Sequence, residues 1–240
     1  MWWTAPSPDG TLLAVQTWAS DSADNRVDVV RIATGQVLQS HTVAHGPNGV
    51  AFTPDGRELI ALGCCWTGSG SALLGWDART GRQLFSLGDG TGAEAFDVAP
   101  NRDVVDVGTA GGKFLQLDAS SGKPVSAPLQ VAAGEISQMS LSPDGRSLVV
   151  SSDDHTASIW DLRSRSRLGD AFGPYQGTVP AVAFEPDGRV LIDLLSNAVQ
   201  WPTDVRTWER FACRAAGRGL TRAEWHDLLP DRSYQRVCTA

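Results

Sequence analysis

Asp153-Asp154-His155-Thr156 places two carboxylates, an imidazole and a hydroxyl in one short stretch. Groups of these types can accept, hold or relay a proton. The stretch continues through small and apolar residues to Trp160-Asp161. It is either a corner that does chemistry or one turn of a scaffold, and the choice depends on whether the pattern returns elsewhere. Other reactive groups are scattered. The histidines are His41, His45, His155 and His226, and none has the H-E-x-x-H spacing of a zinc site. His41 and His45 are expected in an exposed loop, and His226 on a helix surface. Gly111-Gly112-Lys113 and Gly122-Lys123 lack phosphate-loop spacing and run into Phe114 and Pro124, so both read as strand turns. TGSGS at Thr67 to Ser71 is not followed by the helix a nucleophile elbow needs. GDGTG at Gly88 to Gly92 has too few oxygen ligands for a calcium loop. Cys64-Cys65 sits in an apolar run and reads as strand core, and no C-x-x-C pair occurs. No catalytic, cofactor-binding or metal-binding residue is predicted.

The bulk numbers narrow the classes further. The 240 residues are 42% hydrophobic and 20% charged, ordinary for a globular chain. The net charge of -7 argues against gripping nucleic-acid phosphates, which needs a basic surface. No run of apolar residues is long enough to span a membrane. The first residues, MWWTAPSPDG, lack the basic and apolar regions of a signal peptide, so a cytoplasmic location is expected. Only Lys113 and Lys123 break the arginine bias among the basic residues, which hints at a GC-rich bacterial genome.

The elements that position these groups come from a repeat. Ser7 to Gly10, Thr53 to Gly56, Ala99 to Arg102, Ser142 to Gly145 and Glu185 to Gly188 are turn signatures of the SPDG type. Their prolines fall at Pro8, Pro54, Pro100, Pro143 and Pro186, spaced 46, 46, 43 and 43 residues apart. Proline pre-sets φ early in such a turn, and Asp-Gly supports the reversal that follows. Four of the turns are preceded by apolar alternation, such as Val50 and Phe52 or Met139 and Leu141. Alternation with period two marks a strand with one buried face. After each turn comes a second apolar run, and then a third strand. The third strands end at Val30-Arg31, Trp76-Asp77, Leu117-Asp118, Trp160-Asp161 and Trp201-Pro202. A weaker fourth strand follows in most repeats. Short antiparallel strands in units of this period predict an all-β propeller of about five four-stranded blades.

The SPDG turns and the Asp-x-Thr-x-x-x-Trp-Asp stretch at Asp154 to Asp161 resemble the WD-repeat family of β-propellers, over residues 1–201. The resemblance implies that Asp154 is a structural strut bonded toward Trp160, not a catalytic group. Asp24 stands at the matching place in the first repeat, while Gly70 and Gly111 replace it in the second and third. The family's matching histidine is absent, with Ala132 about where the fourth blade would carry it. The family usually closes with seven blades. Five blades are therefore expected to be an incomplete ring, either the C-terminal portion of a longer protein or one that pairs with a second propeller fragment; the alternative is a closed five-bladed ring capped by the tail helices, with Trp208 and Trp225 packed on the gap. Trp2-Trp3 reads as a surface that another segment should cover.

Residues 202–240 change character. Val205, Trp208, Phe211, Ala212 and Ala215 follow helical spacing and form one apolar stripe, with Arg206, Arg210 and Arg214 beside it. Gly217 and Gly219 end this helix. Thr221 and Glu224 have capping-box spacing, and Leu220 and Trp225 that of a hydrophobic staple. Pro230 stops the second helix. The tail has seven arginines against five acids, a surplus too small to argue for nucleic acid. It resembles a C-terminal extension found after WD repeats in large bacterial signalling proteins. Cys213 and Cys238 would lie on the two arms of this hairpin and are a candidate disulfide. That bond would favour an extracytoplasmic part of a membrane-anchored parent over the cytoplasm.

The resulting expectation is a non-catalytic scaffold for protein–protein interaction. It has no cofactor and no membrane insertion, and it can self-associate through open blade faces. The alternatives are a sensor that binds a small molecule in the channel and, less favoured, a propeller enzyme.

Overall fold

In the computed structural model, residues 3–17, 25–43, 46–64, 71–175, 181–193, 198–236 and 238 are described. The strands fall where the turns dictate. Blade 1 is β1 (Trp3–Pro6), β2 (Leu12–Thr17), β3 (Arg26–Arg31) and β4 (Gln36–Thr42). Blade 2 is β5 (Gly46–Phe52), β6 (Glu58–Cys64), β7 (Ala72–Asp77) and β8 (Gln83–Leu87). Blade 3 is β9 (Ala93–Val98), β10 (Val104–Thr109), β11 (Lys113–Asp118) and β12 (Leu129–Gln130). Blade 4 is β13 (Ile136–Leu141), β14 (Ser147–Ser152), β15 (Ala157–Asp161) and β16 (Ser166–Arg167). Blade 5 has three strands among the described residues: β17 (Val182–Phe184), β18 (Val190–Asp193) and β19 (Ala198–Trp201). Each sheet is an antiparallel meander in chain order.

The SPDG turns work through one repeated hydrogen-bond set. Ser142 Oγ donates to Asp144 Oδ1 at 2.6 Å, and the Arg146 N–H donates to the same oxygen at 3.0 Å. Asp9 and Asp55 accept equivalent pairs from Ser7 with Thr11 and from Thr53 with Arg57. Gly145 closes the turn at φ 66°, a left-handed conformation that strongly favours glycine. The aspartates after the third strands do similar work: Thr80, Ser121 and Ser164 donate to Asp77, Asp118 and Asp161. Both sets fix hairpin register, and register decides which face of each strand is buried.

Each blade then buries its faces on its neighbours. Ala14, Val27 and Val29 of blade 1 pack with Leu59, Ala61 and Trp76 of blade 2. Ile60, Leu62 and Leu73 pack with Val105 and Val107 of blade 3. Phe114 of blade 3 joins Ile136, Leu148 and Val150. Val149 and Ile159 join Val182, Val190 and Ile192 of blade 5. The fit is tight: a Cβ added at Gly108 would come within 2.6 Å of Ile136. The innermost strands follow one another in order, β1 on β5, β5 on β9, β9 on β13 and β13 on β17. No comparable packing joins β17 back to β1 among the described residues. The five blades therefore form an open arc. Leu13, Val15 and Val30, on the side of blade 1 away from blade 2, are only half-buried.

The last strand ends at Trp201, and α1 (Val205–Ala216) and α2 (Arg222–Leu228) follow. Asp204 caps α1, and Gly217 ends it at φ 67°. The stripe expected on α1 does not form a buried face: Phe211 is 75% exposed and Trp208 only half-buried.

Gln16 makes a test of blade docking. It is buried, donates through Nε2 to the Leu62 carbonyl at 3.1 Å, and accepts from the Gly49 N–H at 3.1 Å. Gln16→Leu keeps the volume and leaves two buried backbone groups without a partner. The expected loss is about 2–4 kcal/mol in urea unfolding. A loss near the exposed-site level of about 0.5 kcal/mol would show that this link does not hold the blades.

Candidate functional site

The concave side of the arc is built by the first strands of successive blades. Trp3 of β1, Val50 of β5, Phe96 of β9 and Met139 of β13 line a cleft of about 390 Å3, with Glu94 and Asp97 at its acidic end. The wall is held by side-chain links between neighbouring blades. Asn48 Nδ2 donates to the Glu94 carbonyl at 2.8 Å, joining blades 2 and 3. The Leu141 N–H donates to Asp97 Oδ2 at 3.0 Å, joining blades 3 and 4. The Phe184 N–H donates to Ser140 Oγ at 3.2 Å, joining blades 4 and 5. The cleft is thus a property of the arc as a whole.

Its electrostatics are one-sided, with no lysine or arginine among the lining residues. Burial pushes the Glu94 carboxyl up to about 7, with Glu135 adding like-charge repulsion. Glu135 is raised by burial and then by Asp153. Asp97 is raised by burial, against two backbone N–H donors that favour its ionised form. Behind it Asp106 is fully buried, pairs in register with Asp97, and accepts from Gln116 Nε2 at 2.8 Å. Its second oxygen has no partner among the described residues, and burial pushes its carboxyl up to about 7. Among the described residues no cluster of three or more His, Cys, Asp or Glu is arranged to hold a metal ion.

None of Asp153 to Asp161 lines this cleft. Asp154 accepts from the Thr156 N–H at 3.0 Å and from Thr156 Oγ1 at 2.7 Å. Trp160 Nε1 donates to Ser158 Oγ at 2.9 Å. The expected bond from Asp154 toward Trp160 is therefore replaced by two short local ones. The reason is visible at Ala132, which lines the same small recess as Asp154 and Trp160 and has no ring to bridge them. Ser158, two residues back on the same face of the strand, satisfies the indole instead. Trp160 still packs against the core between blades 3 and 4. His155 sits in the turn at φ 66°. Asp24, Trp2, His45, Cys65 and residues 67–70 lie outside the described residues, as does the side chain of Cys64.

Other residues depart from expectation too. His41 is on β4 and not in a loop, stacked on Trp76 of blade 2 at 4.7 Å. Burial lowers its pKa, with Asp28 opposing. The sequence carried no signal for this contact, because it crosses between blades. Lys113 and Lys123 follow tight turns at Gly112 and Gly122, with φ of 71° and 67°. His226 is exposed on α2.

In the tail, Thr221 and Glu224 form the reciprocal capping box. Arg218 grips the Glu224 carboxylate with two bonds of 2.6 and 2.7 Å. Trp225 is buried, donates to the Arg232 carbonyl at 2.9 Å, and meets Tyr234 edge-on. Cys213 and Cys238 are joined by a disulfide.

Comparison with known proteins gives a consistent picture. The family model described as WD domain, G-beta repeat matches residues 126–161, which run from the end of blade 3 through β15. The human WD repeat-containing protein 90 is 28% identical over 208 residues, covering 81% of this chain and 12% of that protein. An uncharacterized WD repeat-containing protein of Synechocystis is 32% identical over 78 residues, 31% of this chain and 21% of that one. The chain thus spans a small part of these relatives. Among solved structures, Kuenenia stuttgartiensis hydrazine synthase superimposes with a TM-score of 0.63 at 20% identity, over 79% of this chain and 54% of that one. This likeness is one of fold.

Two outcomes follow from the buried groups. A carboxyl raised in the fold contributes stability at low pH and loses it as pH rises through its folded value. For Asp106 that loss begins above 3.8, where the unfolded carboxyl ionises, and is complete once pH exceeds about 7. Asp106→Asn keeps an acceptor for Gln116, and its stability should gain on the wild type as pH is raised from about 5 to 8. A stability gap that does not change with pH would refute the assignment. Trp160→Ala should lose about 2–4 kcal/mol in thermal or urea unfolding. Asp154→Ala should lose about 1–2 kcal/mol, because it removes the turn bonds from Thr156 and the bond from the Ala133 N–H. An Asp154 variant less stable than the Trp160 variant would show that the carboxylate, not the indole packing, carries this corner.

Proposed function

From a WD-repeat match at residues 126–161 and a likeness to a WD repeat-containing protein over most of the chain, we propose that it is a non-catalytic protein-binding module whose working surface is the concave cleft of its innermost strands. WD-repeat proteins generally mediate protein interactions, and this coarse role is the starting point. The observation that carries the finer reading is the cleft itself. It joins apolar side chains from four blades, including Trp3 at 41% exposure, to an acidic end at Glu94. Exposed aromatic residues beside a polar rim are typical of binding surfaces, where a few buried anchors supply most of the affinity. The rigid arc holds them without the cost of ordering loops on binding. The acidic end favours a partner that brings positive charge, which steers encounter and sets orientation.

The reading extends to a scaffold role within a larger bacterial signalling protein, of which these blades are one part. The Cys213–Cys238 bond supports an extracytoplasmic location over a cytoplasmic one, since such bonds persist in oxidising compartments. A small-molecule sensor is the alternative for the same cleft.

Affinity capture from the native cell, analysed by mass spectrometry, tests the proposal with two surface variants. Trp3→Ala and Glu94→Lys should each lose the captured proteins, with unchanged melting temperature. Retention of the same proteins by both variants would place binding elsewhere. A saturable thermal shift with a metabolite, lost in Trp3→Ala, would favour the sensor.

A further inference from the structure

The helical tail has little besides one bridge to keep it ordered. Among the described residues neither helix packs extensively on a blade or on the other helix. α1 faces blade 5 across an open groove, with Leu168 and Phe172 on one wall and Trp208 and Phe211 on the other. Trp225 of α2 is buried by the segment that follows it. Its indole N–H donates to the Arg232 carbonyl at 2.9 Å, and its ring meets Tyr234 edge-on at 5.7 Å. Tyr234 in turn donates to the Leu220 carbonyl at 3.2 Å, and the Arg222 guanidinium lies 5.3 Å from its ring centre. Residues 231–236 thus form a strap over Trp225, yet all six are themselves exposed.

Ordering six exposed residues costs more conformational entropy than these few contacts return. The Cys213–Cys238 bridge makes up the difference, tying the last turn of α1 to the chain just beyond the strap. Cys238 has φ 60°, in the left-handed region where a residue other than glycine is strained. Both cysteines are only partly buried, so a reductant in solution can reach the bridge. Exposed or strained disulfides are the labile, regulatory kind.

We infer that the Cys213–Cys238 bridge is a redox-released clasp: a dithiol that reduces it frees residues 231–236 from α2 and uncovers Trp225, while the blades keep their fold. One thiolate of the dithiol attacks a bridge sulfur, and the S–S bond breaks as the other cysteine leaves as a thiolate. The second sulfur of the dithiol then displaces the first cysteine. The bridge takes up two electrons and two protons to become two thiols, and the dithiol becomes a disulfide. The blades are indifferent because their apolar clusters lie between neighbouring sheets and contain no tail residue. The oxidised tail is a closed hairpin. The reduced tail is an open segment carrying Arg232 and Arg236 beside a bared indole, and order-to-disorder of a segment is a common form of switching. The inference stands apart from the concave-face reading and uses none of its residues.

The test uses the full chain, with dithiothreitol as the dithiol. Reduction under native conditions should speed amide hydrogen exchange at residues 222–236 by about tenfold or more. Exchange in the strands of blades 3 to 5 should stay as it was. Trypsin should cut after Arg232 and Arg236 at least about tenfold faster, and reoxidation should restore both protections. A Cys213→Ser/Cys238→Ser double variant should match the reduced chain without dithiothreitol and should not respond to it, which separates this bridge from Cys64 and Cys65. Unchanged exchange at residues 222–236 on reduction overturns the inference, since the strap then stays closed without the bond. Loss of protection that spreads through blades 4 and 5 in the double variant does so too, because the tail would then be part of the propeller's own fold. A tail that opens on reduction but does not close again on reoxidation is no switch, and that result also overturns it.

Discussion

A blade of this size cannot bury both of its faces alone, and the architecture follows from that constraint. Every large apolar cluster here combines residues of two adjacent blades. The polar links are arranged likewise. Gln16 to Leu62, Asn48 to Glu94 and Leu141 to Asp97 span 46, 46 and 44 residues. These separations are close to one repeat because each link connects equivalent regions of neighbouring sheets. Nearest-neighbour stabilisation of this kind makes the whole a sum of blade and interface terms. It also means that the end blades are the weakest in contacts, and both carry half-exposed apolar residues.

Much of this was legible because turns are local. Proline, Asp-Gly and the Ser or Thr two residues before the aspartate specify a hairpin within four residues. Three such turns, in register with the looser variants at Ala99 to Arg102 and Glu185 to Gly188, fix the blade count, and the alternation around Val50 and Phe52 fixes the inward face. The ends of the third strands at Asp77, Asp118 and Asp161 were legible for the same reason. The capping box of Thr221 and Glu224 is another local signal, readable from spacing alone. What failed to be legible depends on contacts between blades. His41 stacks on Trp76, and nothing within its own repeat announces that. Asp154 and Trp160 do not bond, because the residue needed between them would come from another segment and is Ala132. The buried Asp106 looked like any strand aspartate until burial by the next blade gave it its character.

The tail follows different physics. With fewer than forty residues and, among the described residues, Trp225 as its one buried side chain, it has little hydrophobic core of its own. Units of that size usually depend on a staple. The Cys213–Cys238 bond closes a separation of 25 residues, which reduces the freedom of the unfolded tail by about 3 kcal/mol in the chain-entropy account. The Arg218–Glu224 pair adds less, being exposed to solvent. The helices therefore keep their place through one covalent link, a cap and the few contacts of α1 with blade 5.

These two regimes meet at β19, and their meeting explains why the edge stays open. A fourth strand in blade 5 would have to run between β19 and α1. Instead the chain leaves β19 through Pro202, which has no N–H to donate to a ladder, and Asp204 starts a helix two residues later. Apart from its end groups a helix makes its backbone bonds internally, so it offers no ladder to a strand edge. The sequence thus places, where a strand would complete the sheet, an element unable to complete it. The apolar walls on either side remain because blade 4 builds one and the disulfide-held tail the other. Among the described residues β19 is therefore the outer strand of blade 5, with the end of blade 4 and α1 beside it.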